Sequence, residues 1–231
     1  MSLTSSRKTS QQLEGIYSKL HQFFGPQHWW PGETPFEVTV GAILTQNTAW
    51  TNVEKAICNL KNAKVLNISA LSKISSSRMA HLIKPAGFFN IKTKRLMAWM
   101  HFLIQKGCKN NLDPLQAIPT PQLRHELLKV KGIGPETADS ILLYALERSV
   151  FVVDAYTQRI LKRHNLVSEG ATYDEIQSFF EKNLVGSGRL FNEYHALIVA
   201  IGKSYCKSTA KCEACPLNYL FGGKIPDSAN Q

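Results

Sequence analysis

Residues Leu127 to Asp154 read LLKVKGIGPETADSILLYALERSVFVVD: a glycine-marked turn between two helical stretches, then a carboxylate beyond an apolar run. Gly132 and Gly134 supply the backbone freedom for a tight turn. Pro135 and Glu136 stand where the next helix opens, the positions at which proline and an acid are favoured. The N–H groups of such a turn form a seat for an anion, and phosphate is the anion that suits it. Asp154 follows Glu136 by 18 residues. An anion seat with a fixed acid nearby is the equipment for holding a polynucleotide and acting on one of its units.

Outward from that stretch, helical periodicity dominates. Leu13, Ile16, Tyr17, Leu20, Phe23 and Phe24 form one apolar stripe at helical spacing. A loop from Gly25 to Pro35 carries Trp29 and Trp30, and the apolar run Phe36–Leu44 ends in the polar patch Thr45-Gln46-Asn47-Thr48. Val53, Ile57 and Leu60 continue a helix, and two more are split at Pro85-Ala86-Gly87. Thr120-Pro121 reads as N-cap and first position of a helix carrying Leu123, Leu127 and Leu128. Its partner after the turn buries Ala138, Ile141, Leu142 and Ala145. Val150–Val153 is short and β-branched, Asp154 caps a helix through Arg163, and Tyr173–Leu184 and Tyr194–Ser204 complete the count. With no alternating strand series and no repeat, the spacing predicts an all-α protein of about ten helices. The N-terminal helix is expected to pack with the C-terminal third, and the middle to form its own core.

Composition narrows the partner. The chain has 231 residues, is 44% hydrophobic and 19% charged, and carries a net charge of +10. Its isoelectric point near 9.4 favours a polyanion, of which nucleic acid is the commonest. Five cysteines, an odd number, with no signal-peptide pattern, point to the reducing cytosol, nucleoid-associated in a bacterium. No apolar run approaches the roughly 18 residues that span a membrane. The start, MSLTSSRKTSQQ, reads as a polar, frayed tail.

The glycine turn and the acid together identify a resemblance. KGIGPETADSILLYAL resembles the helix-hairpin-helix of the endonuclease III superfamily of DNA glycosylases, and FVVDAYTQRILKR resembles the segment bearing its catalytic Asp. GAILTQNT resembles the helix end and loop that enter DNA beside the flipped base, and KPAGFFNIKTKRL another family segment between two helices. The likeness covers roughly residues 13 to 217. Within the superfamily, WWPGETPFE followed by GAILTQNTAW is similar to the 3-methyladenine glycosylases of endonuclease III type. The resemblance implies a two-lobed helical fold with the active site in the cleft between lobes. One lobe is a central helical barrel, residues 36–149, holding the hairpin; the other is formed by residues 1–35 plus 150–231.

Under that resemblance Asp154 is the catalytic carboxylate, a role compatible with capping, which holds the carboxylate still. Breaking an N-glycosidic bond builds positive charge on the sugar, and a nearby carboxylate stabilises it and helps position or deprotonate water. Bifunctional relatives place at position 136 a lysine whose amine attacks the sugar and leads to strand cleavage. Glu136 cannot do that, so the resemblance implies a monofunctional enzyme that leaves an abasic site, with lyase activity not expected. For Glu136 itself, a helix-start acid and a second pocket carboxylate both remain open.

Aromatic side chains at the positions of Trp29 and Trp50 sandwich the flipped base in the resembled glycosylases; Trp30 is a third candidate, and core packing is the alternative for all three. Stacking suits an alkylated adenine, which carries positive charge. Gln46 and Asn47 are candidates for filling the gap left by the base, or else for capping a helix end. Lys131, Gly132, Gly134, Thr137 and Arg159 are the candidate DNA contacts, and Lys92, Lys94, Arg95, Lys129, Lys162 and Arg163 are basic residues able to track phosphate.

The tail spacing C-KSTAK-C-EA-C resembles the family's iron–sulfur loop. Cys206, Cys212 and Cys215 are the candidate metal ligands, but the family's fourth position is Phe221 and the first gap is one residue short. They read as a degraded cluster loop, with zinc short of a ligand as well. No cofactor is required for the chemistry.

The expected function is hydrolysis of a damaged base, an alkylated purine, from duplex DNA by a monomer. The alternatives are an adenine glycosylase for mismatches, a bifunctional endonuclease III-like lyase, and a non-catalytic helix-hairpin-helix DNA-binding protein. The mismatch enzymes usually carry a further C-terminal domain, for which this chain ends early, and Asp154 at family spacing argues against the non-catalytic module.

Overall fold

The structure is a computed structural model that describes residues 3–221. Twelve α-helices make up the fold, and no strand occurs among the described residues. In order they are α1 (Leu3–Phe24), α2 (Pro35–Leu44), α3 (Trp50–Asn62), α4 (Ile68–Leu71), α5 (Ser76–Leu82), α6 (Phe89–Gln105), α7 (Asp113–Gln116), α8 (Thr120–Leu128), α9 (Pro135–Ser140), α10 (Ala155–Arg163), α11 (Tyr173–Asn183) and α12 (Gly188–Ser204). The count exceeds ten because α4 and α7 are single turns, too short to leave a periodic signal. From Leu3 onward the polar start is helical, as part of α1, and Met1 and Ser2 lie outside the described residues. No helix among the described residues is long and apolar enough to cross a membrane.

The chain divides into two compact units. One is Trp30–Arg148; the other joins the described residues up to Trp29 with those from Ser149 onward.

Within Trp30–Arg148, α2 is the core helix. Thr34 caps it, its side chain accepting from Glu37 N, and Pro35 takes the first position. Every residue from Phe36 to Leu44 is buried, so this helix is covered on all sides. Its hydroxyl at Thr39 accepts from Trp99 Nε1 of α6 at 3.0 Å, and that indole is fully buried. Helix α8 starts one residue earlier than the Thr-Pro pattern suggests: Pro119 is the N-cap, and Thr120 is already helical. Helix α9 passes directly into a π-helical turn, Ile141–Ala145, every residue of which is buried.

In the other unit α12 packs against α1 and α10. Leu13, Ile16 and Leu20 of α1 are buried, whereas Phe23 turns out and is 51% exposed. Tyr194 of α12 donates its hydroxyl to Leu13 O at 2.9 Å. The β-branched segment before Asp154 is extended but pairs with no strand. Its polar backbone is satisfied by α11 instead: Phe151 N donates to Glu181 Oε1 at 2.9 Å, and Gln177 Nε2 donates to Phe151 O at 2.7 Å. The Phe151 ring stacks on Phe180 with centroids 3.7 Å apart.

Candidate active site

The hairpin joins α8 to α9 through residues 129–134. Gly132 adopts φ +89, and a Cβ there would lie 2.3 Å from Arg95 Cγ, so only glycine fits. Gly134 differs from the expectation: with φ −94 and ψ −178 it is extended backbone that any residue adopts. What it contributes is an N-cap with no side-chain cap bond. Pro135 follows at the first helical position, and Glu136 is exposed in the first turn. An α9 start left without a side-chain oxygen suits an external anion.

Side chains from behind hold this turn. Asp139 of α9 is fully buried and takes a bidentate ion pair from Arg124 of α8, Nε to Oδ1 at 2.8 Å and Nη2 to Oδ2 at 3.0 Å. Gln46 Nε2 donates to Gly132 O at 3.0 Å and to Thr137 Oγ1 at 2.8 Å, while its Oε1 accepts from Arg95 Nη1. Gln46 and Thr137 therefore tie the α2–α3 loop to the hairpin inside this unit. Asn47 beside them is exposed at φ +52.

Lys92 corrects the reading of the basic segment. It is fully buried, and its Nζ donates to Leu44 O at 2.7 Å, to Ala86 O at 2.8 Å and to Thr48 Oγ1. Burial, with Arg95 adding repulsion, lowers its pKa to about 8. One amine thus clamps the end of α2, the loop after it and the short 3₁₀ turn before α6, and it tracks no phosphate. Lys94, Lys129 and Lys131 stay exposed. Phe88, between the 3₁₀ turn and α6, sits at φ +44 and is 66% exposed. A large ring held outward in the left-handed region departs from what packing alone favours.

Trp30 meets Trp50 edge-on, centroids 5.2 Å apart at 88°, and lies 5.1 Å from Tyr144 of the π turn. The two indoles therefore form a corner rather than two parallel walls. That corner borders an open cavity of about 570 Å³, also lined by Glu33, Glu37, Glu54 and Lys61. Lys61 bridges Glu33 and Glu37 at 2.8 and 2.9 Å. Trp29 belongs to the other unit, where Lys203 Nζ lies 5.7 Å from its ring centroid.

Asp154 is the N-cap of α10. Its Oδ1 accepts from Thr157 N at 2.7 Å and from Thr157 Oγ1 at 2.8 Å, and its side chain is 13% exposed. Oδ2 points toward His195 Nε2, 3.8 Å away. His195 was not legible in the sequence, because only the packing of α12 brings it here. It is 5% exposed. Burial lowers its pKa, opposed by the charge of Asp154.

The other end of α10 holds the cysteine loop. Arg159 Nε donates to Cys206 O at 2.7 Å, and its guanidinium lies over the Tyr156 ring at 5.0 Å. Arg163 Nη1 donates to Cys206 Sγ at 3.3 Å and to Lys207 O at 2.6 Å, and Nη2 to Ser208 O at 2.8 Å. These arginines clasp the loop, which is a different use from the expected phosphate contacts. The residues present do not fit a four-iron cluster. Cys206, Cys212 and Cys215 are three thiols with an arginine bonded to one of them, and no group of three or more His, Cys, Asp or Glu among the described residues is arranged to hold a metal ion. Burial raises the Cys212 thiol and pushes Cys215 up to about 11.

The chain is similar to known proteins over most of its length. Residues 40–185 match the model of the HhH-GPD superfamily base excision DNA repair proteins. A protein of Methanocaldococcus jannaschii, provisionally named a DNA repair glycosylase, is 48% identical over 90% of this chain and 94% of its own. Among solved structures, the H. pylori 3-methyladenine DNA glycosylase bound to 1,N6-ethenoadenine gives a TM-score of 0.71 at 33% identity, covering 86% of this chain and 97% of that one. A non-covalent endonuclease III–DNA complex gives 0.77 at 20% identity, covering 91% and 94%, a likeness of fold. On the family match and the M. jannaschii relative together, the chain belongs to the HhH-GPD superfamily of base excision DNA repair proteins.

Proposed function

We propose that this protein is a monofunctional DNA glycosylase that hydrolyses an alkylated purine from duplex DNA. The observation that carries the reading is Asp154: a carboxylate locked by two bonds on Oδ1 at the start of α10, in a chain whose hairpin offers Glu136 in place of an amine. The net charge of +10 suits the phosphate backbone. In this reading the turn of Gly132 and Gly134 takes a phosphate of the lesion strand, with Lys131 beside it. Phe88 and Asn47, exposed at positive φ, are suited to entering the stack when the base leaves it. The flipped base stacks on indole, with Trp29, Trp30 and Trp50 as the candidates, and a cationic alkylated purine gains from their π faces. The H. pylori relative named for 3-methyladenine supports the substrate class.

Asp154 then stabilises the oxocarbenium character of the sugar and directs water to its anomeric carbon. The C–N bond breaks, the base departs and an abasic site remains. Glu136 lacks the nucleophile for a Schiff base, so the strand stays intact. The protein acts as a monomer in the cytosol and needs no cofactor for this step. Incubation with lesion DNA under borohydride tests the monofunctional reading. The expected result is no covalent adduct, and a trapped complex would show that another amine does the work of the missing lysine.

A further inference from the structure

Thr157 accounts for one oxygen of Asp154 and leaves the other to α12. His195 Nε2 stands 3.8 Å from Oδ2, beyond hydrogen-bond length but within reach of a small closure. Hydrogen bonds of this kind are often long without substrate and tighten in the complex. The imidazole has little room to stand elsewhere. It is 5% exposed and edge-on to Phe151 at 6.4 Å, and Phe151 is itself stacked on Phe180 and tethered through its backbone to Gln177 and Glu181. Helix α12 in turn lies tight on α10. A Cβ on Gly202 would fall 2.4 Å from the Tyr156 ring, so the glycine sets how near the two helices come. Asp154 and His195 are therefore brought face to face by packing that neither residue provides.

We infer that His195 is a positioning residue for Asp154: its Nε2, facing Oδ2, confines that oxygen to the orientation in which the carboxylate meets the sugar and water. Filling the core does not require an imidazole at this place, and the neighbouring Tyr194 already buries its polar atom on Leu13 O. Burial favours the neutral ring, which leaves Asp154 its full negative charge for the transition state. Both bonds from Thr157 fall on Oδ1, so the place of Oδ2 depends on what faces it, and misplacement by about 1 Å costs on the order of 100-fold in rate. The inference rests on Asp154 being the catalytic carboxylate.

The test is single-turnover excision by the full chain, on a duplex carrying whichever base the wild type releases fastest from a panel of methylated, deaminated and oxidised lesions. DNA affinity and thermal melting are measured alongside. His195→Phe is expected to slow excision about 100-fold while DNA affinity stays within about twofold. His195→Gln, whose amide nitrogen reaches the place of Nε2, is expected to recover to within about tenfold of wild type, and the shorter His195→Asn to stay slow. Wild-type rate in His195→Phe, with Asp154→Asn inactive, would overturn the inference and leave the function standing. Excision by Asp154→Asn would instead overturn the reading of Asp154, and this inference with it. Should His195→Phe fail to fold, equal rates for the Gln and Asn variants would overturn the inference.

Discussion

Helices α9 and α10 begin in opposite ways, the first after a turn and the second after an extended segment. Helix α9 opens at Gly134 with no side-chain cap, whereas α10 opens at Asp154, whose carboxylate bonds both the N–H and the hydroxyl of Thr157. A helix start that lacks its own oxygen accepts one from outside; a helix start that supplies its own oxygen holds a carboxylate in a fixed place. The first arrangement suits an incoming anion, and the second keeps a carboxylate at the helix start. Their supports differ in the same sense. Side chains from elsewhere in its unit, Gln46, Arg95 and Arg124, keep the uncapped turn in shape, while the capped start is held by Thr157 and faced by His195.

The largest effect is expected at Asp154. Asp154→Asn keeps a cap of equal quality, so melting changes little and DNA binding persists, while excision falls about 1,000-fold by loss of the charge. Next comes the support of the uncapped side. Lys92→Met strands the carbonyls of Leu44 and Ala86 in a buried site, and unfolding titrations should show a loss of about 3 kcal/mol.

A smaller effect concerns the far end of α10, where His164 is the C-cap. Burial, with Arg163 adding repulsion, lowers its pKa to about 4. The unfolded chain takes up this proton near pH 6.5 and the folded chain only near 4, so acidification through that window favours unfolding. Stability contributed by the neutral ring is fully present above pH 6.5 and is lost as pH falls through 4. Melting curves across that range should lose about 1–2 kcal/mol in wild type, and less in His164→Phe.

The smallest effect isolates the anion seat itself. Gly134→Ala meets nothing within 4 Å and needs no unusual backbone, so stability is expected to hold. A methyl placed at the open start of α9 should still weaken DNA affinity about three- to tenfold, read by equilibrium titration. Unchanged affinity would detach the turn from phosphate binding and dissolve the contrast between the two helix starts.

What the sequence revealed was local. The glycine turn, the Asp at its distance and the paired tryptophans are each written within a few residues, and their chemistry follows from residue type. What it concealed depends on distant partners. Lys92 stands among Lys94 and Arg95 and reads as a charged surface, yet its three acceptors come from α2, the loop after it and the turn before α6. Arg159 and Arg163 read as DNA contacts because the loop they clasp lies far along the chain. Gln46 reads as a gap-filler or helix cap, whereas its partners are Gly132, Thr137 and Arg95. His195 gives no signal at all, since it lies within an ordinary apolar helix.

The most direct test of the account is to incubate the protein with duplex DNA treated with a methylating agent, weigh the released products and examine the strand. Free methylated purine in solution and an unbroken strand bearing an abasic site are the expected result. A strand cut by the protein itself, or no released base from any methylated position, would contradict it.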